Sequence, residues 1–138
     1  MNSLCIEGWR GLSHSIALVN QYQMLVLLND SAWCADWQIY HRDLPFFLKH
    51  WNTRQMPAGF SPEEQAAIDA VPAPPADLQP DCLLRISSPF LSTVTPGQRT
   101  LTFMVTECGL VDECFDVPPT DPQVFTRDDN RIITPSAW

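Results

Sequence analysis

Two spacings of apolar residues alternate along this chain. A short apolar run at 4–6 predicts a strand, and the apolar residues between 16 and 28 recur at helical spacing. Ser13 precedes that helix as its expected N-cap, and the turn-forming residues 29–31 end it. The residues expected to face a sheet are Ile16, Val19, Tyr22, Leu25 and Val26.

Four later segments are predicted strands, and they alternate with helical patterns. They are 37–40, 81–86, 99–105 and 131–134. The nearly continuous apolar run at 82–86 is typical of a strand covered on both faces, as in a parallel sheet. Ser61, Pro62 and Glu64 predict the start of a further helix through a capping box, and this helix is expected to run to about Val71.

The pattern predicts an α/β, Rossmann-like domain over residues 1–138, with an irregular insertion at about 44–80. We expect a mainly parallel sheet of about five strands with helices on both faces. The fifth strand leads directly to Ser136, which has the character of an N-cap without its helix. We therefore expect the natural protein to be longer.

Composition and charge narrow the classes of function. The chain has 138 residues, 45% of them hydrophobic, and a net charge of -8, so it fits a globular domain that does not bind nucleic acid. Its five cysteines show neither a CxxC pair nor zinc spacing, which favours a reducing, cytoplasmic location. The start lacks the features of a signal peptide, and the longest aliphatic run, 24–28, is too short for a transmembrane segment.

The loop after the first strand carries the candidate chemistry. Gly8 and Gly11 allow a ligand to approach the backbone closely. Trp9 offers a flat apolar face of the kind on which a sugar ring stacks, and Arg10 and His14 can donate hydrogen bonds. Open α/β domains bind ligands at such a loop and helix start. A tight turn without a ligand is an equally good interpretation of this loop alone.

Other polar and aromatic residues have structural interpretations. Arg85 lies inside an apolar strand and needs a partner if it is buried, so we expect a structural ion pair. His41 is expected to satisfy a hydrogen bond at a strand end. The aromatic segment 46–51 is expected either to line an acceptor groove or to pack under the inserted helix.

An ordered series of segments resembles bacterial glycosyltransferases of the group 1, family-4-like type. The segments are Glu7-Gly8-Trp9-Arg10-Gly11, Ser13-His14-Ser15, Val19-Asn20-Gln21-Tyr22-Gln23, Asp43-Leu44-Pro45-Phe46, His50-Trp51-Asn52 and Ile133-Thr134-Pro135-Ser136-x-Trp138. The resemblance is to the N-terminal domain of those enzymes and covers nearly all of the chain. It implies one half of a GT-B architecture, in which two Rossmann-like domains face each other across a cleft.

In such enzymes the N-terminal domain mainly holds the sugar acceptor. The C-terminal domain, absent here, holds the nucleotide-sugar donor. The family is generally metal-independent, in agreement with the lack of a DxD motif, so the resemblance implies no metal and no cofactor besides the nucleotide-sugar as co-substrate.

The resemblance also implies the site residues. Gly8 and Gly11 match the glycine loop beside the donor diphosphate and the acceptor, and Ser13 and His14 follow at the helix start. Many relatives carry a histidine after the fourth strand; here Glu107 stands near that place and is the candidate catalytic residue, although a surface acid at a strand end is an equally good interpretation of it. The candidate substrate-binding residues are Gly8, Trp9, Arg10, Gly11, Ser13 and His14.

The expected function is therefore sugar transfer from a nucleotide-sugar to a glycan or lipid-linked acceptor, with this fragment inactive alone. The alternative is a non-catalytic α/β interaction module that forms a homodimer or pairs with a separate partner domain through 46–51, Phe125 and Trp138. A dinucleotide-binding oxidoreductase is a weaker hypothesis, because Gly8-x-x-Gly11 lacks a third glycine, and no GxSxG supports a serine hydrolase.

Overall fold

A computed structural model of the chain describes residues 1–44, 59–86, 96–103 and 127–133. In chain order its elements are β1 (Asn2–Gly8), α1 (Ser15–Asn29), α2 (Ser31–Asp36), β2 (Trp37–Asp43), α3 (Pro62–Asp69), β3 (Cys82–Ile86), β4 (Thr100–Phe103) and β5 (Asn130–Ile133). All five predicted strands are present, and the α/β class is confirmed.

The five strands form one all-parallel sheet in the order β2-β1-β3-β4-β5, flanked by helices as in a Rossmann-like fold. The strand that follows β1 in the chain, β2, lies at one edge of the sheet, whereas the strand that follows β3, β4, lies toward the opposite edge. The strand order therefore reverses between β1 and β3. The carboxyl ends of two such strands border the crevice in which open α/β sheets bind ligands.

One face of the sheet forms the apolar core with α1 and α3. Leu4 and Ile6 of β1 belong to the same core cluster as Ala17 and Met24 of α1 and Ile68 of α3. None of these five side chains is more than 3% exposed. Full burial of a large aliphatic side chain stabilises a fold by about 1.5–3 kcal/mol, so this cluster holds the helices on the sheet.

The alternate strand residues point to the opposite face, which is buried but largely polar. Glu7 on β1 lies beside Arg85 on β3, and Thr102 on β4 follows in the same row. The Thr102 hydroxyl donates to Oδ1 of Asn130 on β5 at 2.9 Å. The parallel sheet is therefore apolar on its α1 side and hydrogen-bonded on the other.

The buried face of α1 differs from the one that apolar spacing predicts. Ile16 and Leu25 are buried as expected, but Tyr22 is 54% exposed and Val26 is 69% exposed. Asn20 and Gln21 occupy the buried side instead. The expectation failed because these two amides make hydrogen bonds to the loop that precedes the helix, which compensates their burial.

The boundaries of α1 also correct the prediction. Its N-cap is His14 rather than Ser13, since the His14 Nδ1 atom accepts a hydrogen bond from the Ile16 amide at 3.3 Å. The helix ends at Asn29 as expected, but a second helix that was not predicted, α2, follows at once. Asp30 caps α2, because its Oδ1 atom accepts hydrogen bonds from the backbone amides of Ala32 and Trp33 at 2.9 and 3.1 Å.

The insertion between β2 and β3 contains α3. Its predicted capping box is confirmed: the Ser61 hydroxyl accepts from the Glu64 amide, and the Glu64 carboxylate accepts from the Ser61 amide. The helix ends at Asp69, two residues before the predicted end. Residues 45–58 of this insertion lie outside the described residues. No helix within the four described ranges has the length and apolar character needed to cross a membrane.

Candidate functional site

The carboxyl ends of β1 and β2, with the loop from Gly8 to His14, form the candidate site. This loop leaves β1 beside the point where the strand order reverses. Six of its seven residues, all except Leu12, were predicted to bind substrate, and for several of them the structure shows contacts within the protein instead.

Gly8 is required by packing within the protein. A β-carbon at this position would lie 2.7 Å from Nδ2 of Asn20 and 2.8 Å from the carbonyl oxygen of Ile86. The approach that Gly8 permits is therefore that of α1 and β3. Trp9 was expected to present a flat face to a sugar, but its side chain is 3% exposed and belongs to the apolar core. Its burial corrects that expectation.

Arg10 was expected to donate to a ligand, yet its described contacts are structural. Its guanidinium makes a bidentate pair with the Asp43 carboxylate, at 3.0 and 3.1 Å. The same group donates to the carbonyl oxygen of Val71 at 2.9 Å and, more weakly, to that of Ile68 at 3.4 Å. These carbonyls lie at the end of α3, where a cation satisfies unpaired acceptors. Arg10 therefore ties α3 to the ends of β1 and β2.

Gly11 is the exposed position of the loop. It has a φ of +72°, and no atom lies within 4 Å of the place where a β-carbon would stand. Its amide donates to Oε1 of Gln21 at 3.0 Å, and the Gln21 amide group donates back to the carbonyl oxygen of Leu12 at 3.1 Å. The loop is thus fixed from below by α1, while the Gly11 backbone faces open space.

His41 lies beneath this loop and is completely buried. The Asn20 side-chain nitrogen contacts the Trp9 carbonyl oxygen at 2.8 Å and His41 Nε2 at 2.9 Å. Because a carbonyl only accepts, the atom facing it is the amide nitrogen, and His41 Nε2 must accept as well. His41 is therefore a neutral imidazole protonated at Nδ1. That atom is 3.3 Å from Oδ1 of Asp43, without the angle of a hydrogen bond.

The surroundings of His41 explain its protonation state. Burial lowers the pKa of its imidazole from 6.5 to about 4, against the opposing attraction of the Asp43 carboxylate; Arg10 lowers it further. His41 makes a hydrogen bond, as expected, but its partner is the side chain of Asn20 on α1 rather than a group at a strand end.

The start of α1 holds the remaining predicted binding residues. His14 accepts the Ile16 amide proton at Nδ1, and its ring stands edge-on to Trp9 with centroids 5.4 Å apart. The Ser13 hydroxyl oxygen is buried and has no hydrogen-bond partner in the part of the chain that the structure describes. His14 and Gly11 thus lie at the same edge of the sheet.

Glu7, on the opposite face of β1, is the centre of an ion-pair network that the sequence did not reveal. Its carboxylate accepts from Arg42 on β2 at 2.6 Å and from Arg85 on β3 at 2.9 Å. The Glu7 side chain is 6% exposed and that of Arg85 9%, whereas Arg42 is about half-exposed. The expected ion pair of Arg85 is confirmed, and its partner lies in register beside it on β1.

Several predicted residues fall outside the described part of the chain. Glu107, the candidate catalytic residue, is one of them, and so are Phe125, Trp138 and the segment 46–51. The placement of Glu107 beside Gly11 and His14 stays a prediction. Among the residues that are described, no cluster of three His, Cys, Asp or Glu could hold a metal ion, and Cys5, Cys34 and Cys82 are free thiols.

Comparisons of this chain with models of protein families, with curated proteins and with solved structures find no match. What the chain does must therefore be inferred from its geometry and its residue chemistry.

The ion-pair network gives a first prediction. Glu7→Gln should destabilise the fold by roughly 3 kcal/mol, because it removes a buried carboxylate that accepts from the buried Arg85 guanidinium. The matched variant Arg42→Gln should lose less than about 1 kcal/mol, because that pair is half-exposed. Urea unfolding followed by circular dichroism measures both. Equal losses in the two variants would contradict the network described.

His41 gives a second prediction, on pH. The unfolded chain takes up a proton near pH 6.5, whereas folded His41 stays neutral down to about pH 4. The unfolded state binds more protons in this window, so the free energy of unfolding should fall as the pH drops from about 6.5 to 4, by up to roughly 3 kcal/mol. His41→Gln should remove this slope.

Urea unfolding at several pH values between 4 and 7 tests this. Hydrogen bonds from Ser3 and from Arg127 lower the carboxyl pKa values of Asp81 and Asp129, respectively. Their contributions are lost only at more acidic pH, and they remain in the variant as an internal control. An unchanged slope between pH 4 and 6.5 in His41→Gln would show that another group is responsible.

Proposed function

We propose that this chain is the acceptor-side, N-terminal domain of a glycosyltransferase of GT-B architecture. The reaction would transfer a sugar from a nucleotide-sugar to a glycan or lipid-linked acceptor. The observation that supports this best is the exposed Gly11 backbone, which follows β1 at the reversal of strand order and precedes the α1 start. Glycine there lets a sugar or a phosphate approach the main chain.

The residues of the loop take two kinds of role in this proposal. Gly11 and His14 contact the acceptor, with His14 as a neutral hydrogen-bonding group whose Nδ1 is already used by α1. Gly8, Trp9 and Arg10 hold the loop in place through the core and through Asp43. They position the site rather than touch the substrate.

The reacting groups complete the proposal. Glu107 would orient a sugar hydroxyl or offset the positive charge that develops on the transferred sugar. The nucleotide would be held by a separate C-terminal domain, and no metal takes part. This chain alone should then bind acceptor sugars weakly and catalyse no transfer. The free thiols of the described cysteines support a cytoplasmic location.

Nuclear magnetic resonance of the isotope-labelled chain tests the proposal. We expect methyl glycosides of glucose, mannose or galactose to shift the amide signals of Gly11 and His14, with a Kd near 1 mM, about -4 kcal/mol of binding free energy. UDP-glucose and GDP-mannose should bind no more tightly than this. Micromolar binding of a nucleotide-sugar by this chain, or sugar-induced shifts only elsewhere, would contradict the proposal.

A matched pair of glycine variants controls for backbone strain. Gly11→Ala and Gly97→Ala both place a β-carbon at positive φ, +72° and +79°, with open space around it. Gly97 lies before β4, at the amino end of the sheet. Gly11→Ala should weaken sugar binding at least about fivefold, roughly 1 kcal/mol, while Gly97→Ala should not. Equal losses of sugar affinity in the two variants would mean that backbone strain alone weakens binding.

A further inference from the structure

A groove separate from the candidate site lies on the α1 side of the sheet, beside the amino-terminal halves of the strands. Its volume is about 550 Å³, within the range of about 300–1,000 Å³ usual for small-molecule sites. Leu4, Leu84 and Leu101 form its floor, and Val26 of α1 and Trp33 of α2 stand at its sides.

The walls of this groove are aromatic and aliphatic. The rings of Trp33 and Trp37 lie 4.8 Å apart along one side. Tyr22 and Val26, two of the most exposed large hydrophobic residues in the described chain, form the opposite lip. Burial raises the pKa of the Cys82 thiol in the floor, so it stays neutral there. Such a continuous apolar surface marks a binding site.

One cation stands at the end of the groove. Among the described residues that line it, Arg99 alone is charged. Arg99 and Trp37 also line an adjoining polar hollow of about 430 Å³. Asp81 borders this hollow too, but its carboxylate already accepts from the Ser3 amide and hydroxyl at 2.7 and 2.8 Å. The apolar groove and the polar hollow thus share Arg99 and Trp37 as lining residues.

We propose that this groove binds a single-chain fatty acid. The hydrocarbon tail lies along the tryptophan and leucine walls, and the carboxylate meets Arg99, which also lines the polar hollow. An apolar wall with a lone guanidinium at its end is complementary to an amphiphile with one anionic head, because a carboxylate and a guanidinium form charge-assisted hydrogen bonds. A cationic amphiphile would place like charges together.

Calorimetry with dodecanoate below its micelle concentration tests the proposal. We expect a Kd in the micromolar range and about fifteenfold weaker binding of decanoate, which is two methylenes shorter, since each buried methylene contributes close to fourfold in affinity. Dodecyltrimethylammonium, with the same tail and the opposite charge, should not bind.

Three variants locate the site. Arg99→Gln should weaken dodecanoate binding about three- to tenfold, whereas Arg131→Gln, at an exposed arginine of β5 that does not line the groove, should leave it unchanged. Val26→Asp puts an anion on the exposed lip, where the fold tolerates it, and should reduce binding by more than tenfold.

Three results would overturn the proposal. The first is that dodecanoate binds no better than the cationic amphiphile, and the second is that it binds equally well to all three variants. The third is that dodecanoate does not bind and Val26→Asp converts a dimer into a monomer in sedimentation. That last result would identify a second copy of the chain as the occupant of the groove.

Discussion

The buried carboxylate of Glu7 is the interaction on which the centre of the sheet depends. A charge taken out of water is costly unless it is paired and hydrogen-bonded. Glu7 meets this requirement by accepting from Arg42 on β2 and Arg85 on β3, so one side chain connects the three strands around the reversal of strand order. A shift of register by one residue would move these groups to opposite faces and separate them. The residue after Glu7 is Gly8, where the candidate site begins.

A second polar network, on the other face, determines the shape of that site. Asn20 and Gln21 reach from α1 to the backbone at Trp9, Gly11 and Leu12, and Asn20 also holds the neutral His41. These contacts fix the loop before any ligand arrives, and a fixed site loses less entropy on binding. The tight packing of Gly8 against α1 and the open space at Gly11 are therefore two parts of one arrangement: the loop is anchored at one glycine and accessible at the other.

Local patterns in the sequence predicted the elements, and long-range contacts explain what those patterns missed. The apolar run at 82–86 and the capping box at Ser61 were sufficient for β3 and for the start of α3. The buried face of α1 was predicted wrongly, because the prediction used only the spacing of apolar residues. It did not consider side-chain amides that are buried with hydrogen-bond partners. α2 has six residues, too few to show a period. Arg10 was interpreted as a hydrogen-bond donor to a ligand. Its actual acceptors, Asp43 and Val71, lie 33 and 61 residues away in the sequence, so no local pattern points to them.

The coupling between Glu7 and Arg85 tests the central claim, that a buried charge network organises the middle of the sheet at the candidate site. The measurement is a double-mutant cycle of Glu7→Gln, Arg85→Gln and the double variant, by urea unfolding at neutral pH. The account predicts a coupling free energy of about 3 kcal/mol, with the double variant nearly as stable as either single one, because each single change already removes the pair. Additive losses, within about 0.5 kcal/mol, would contradict it.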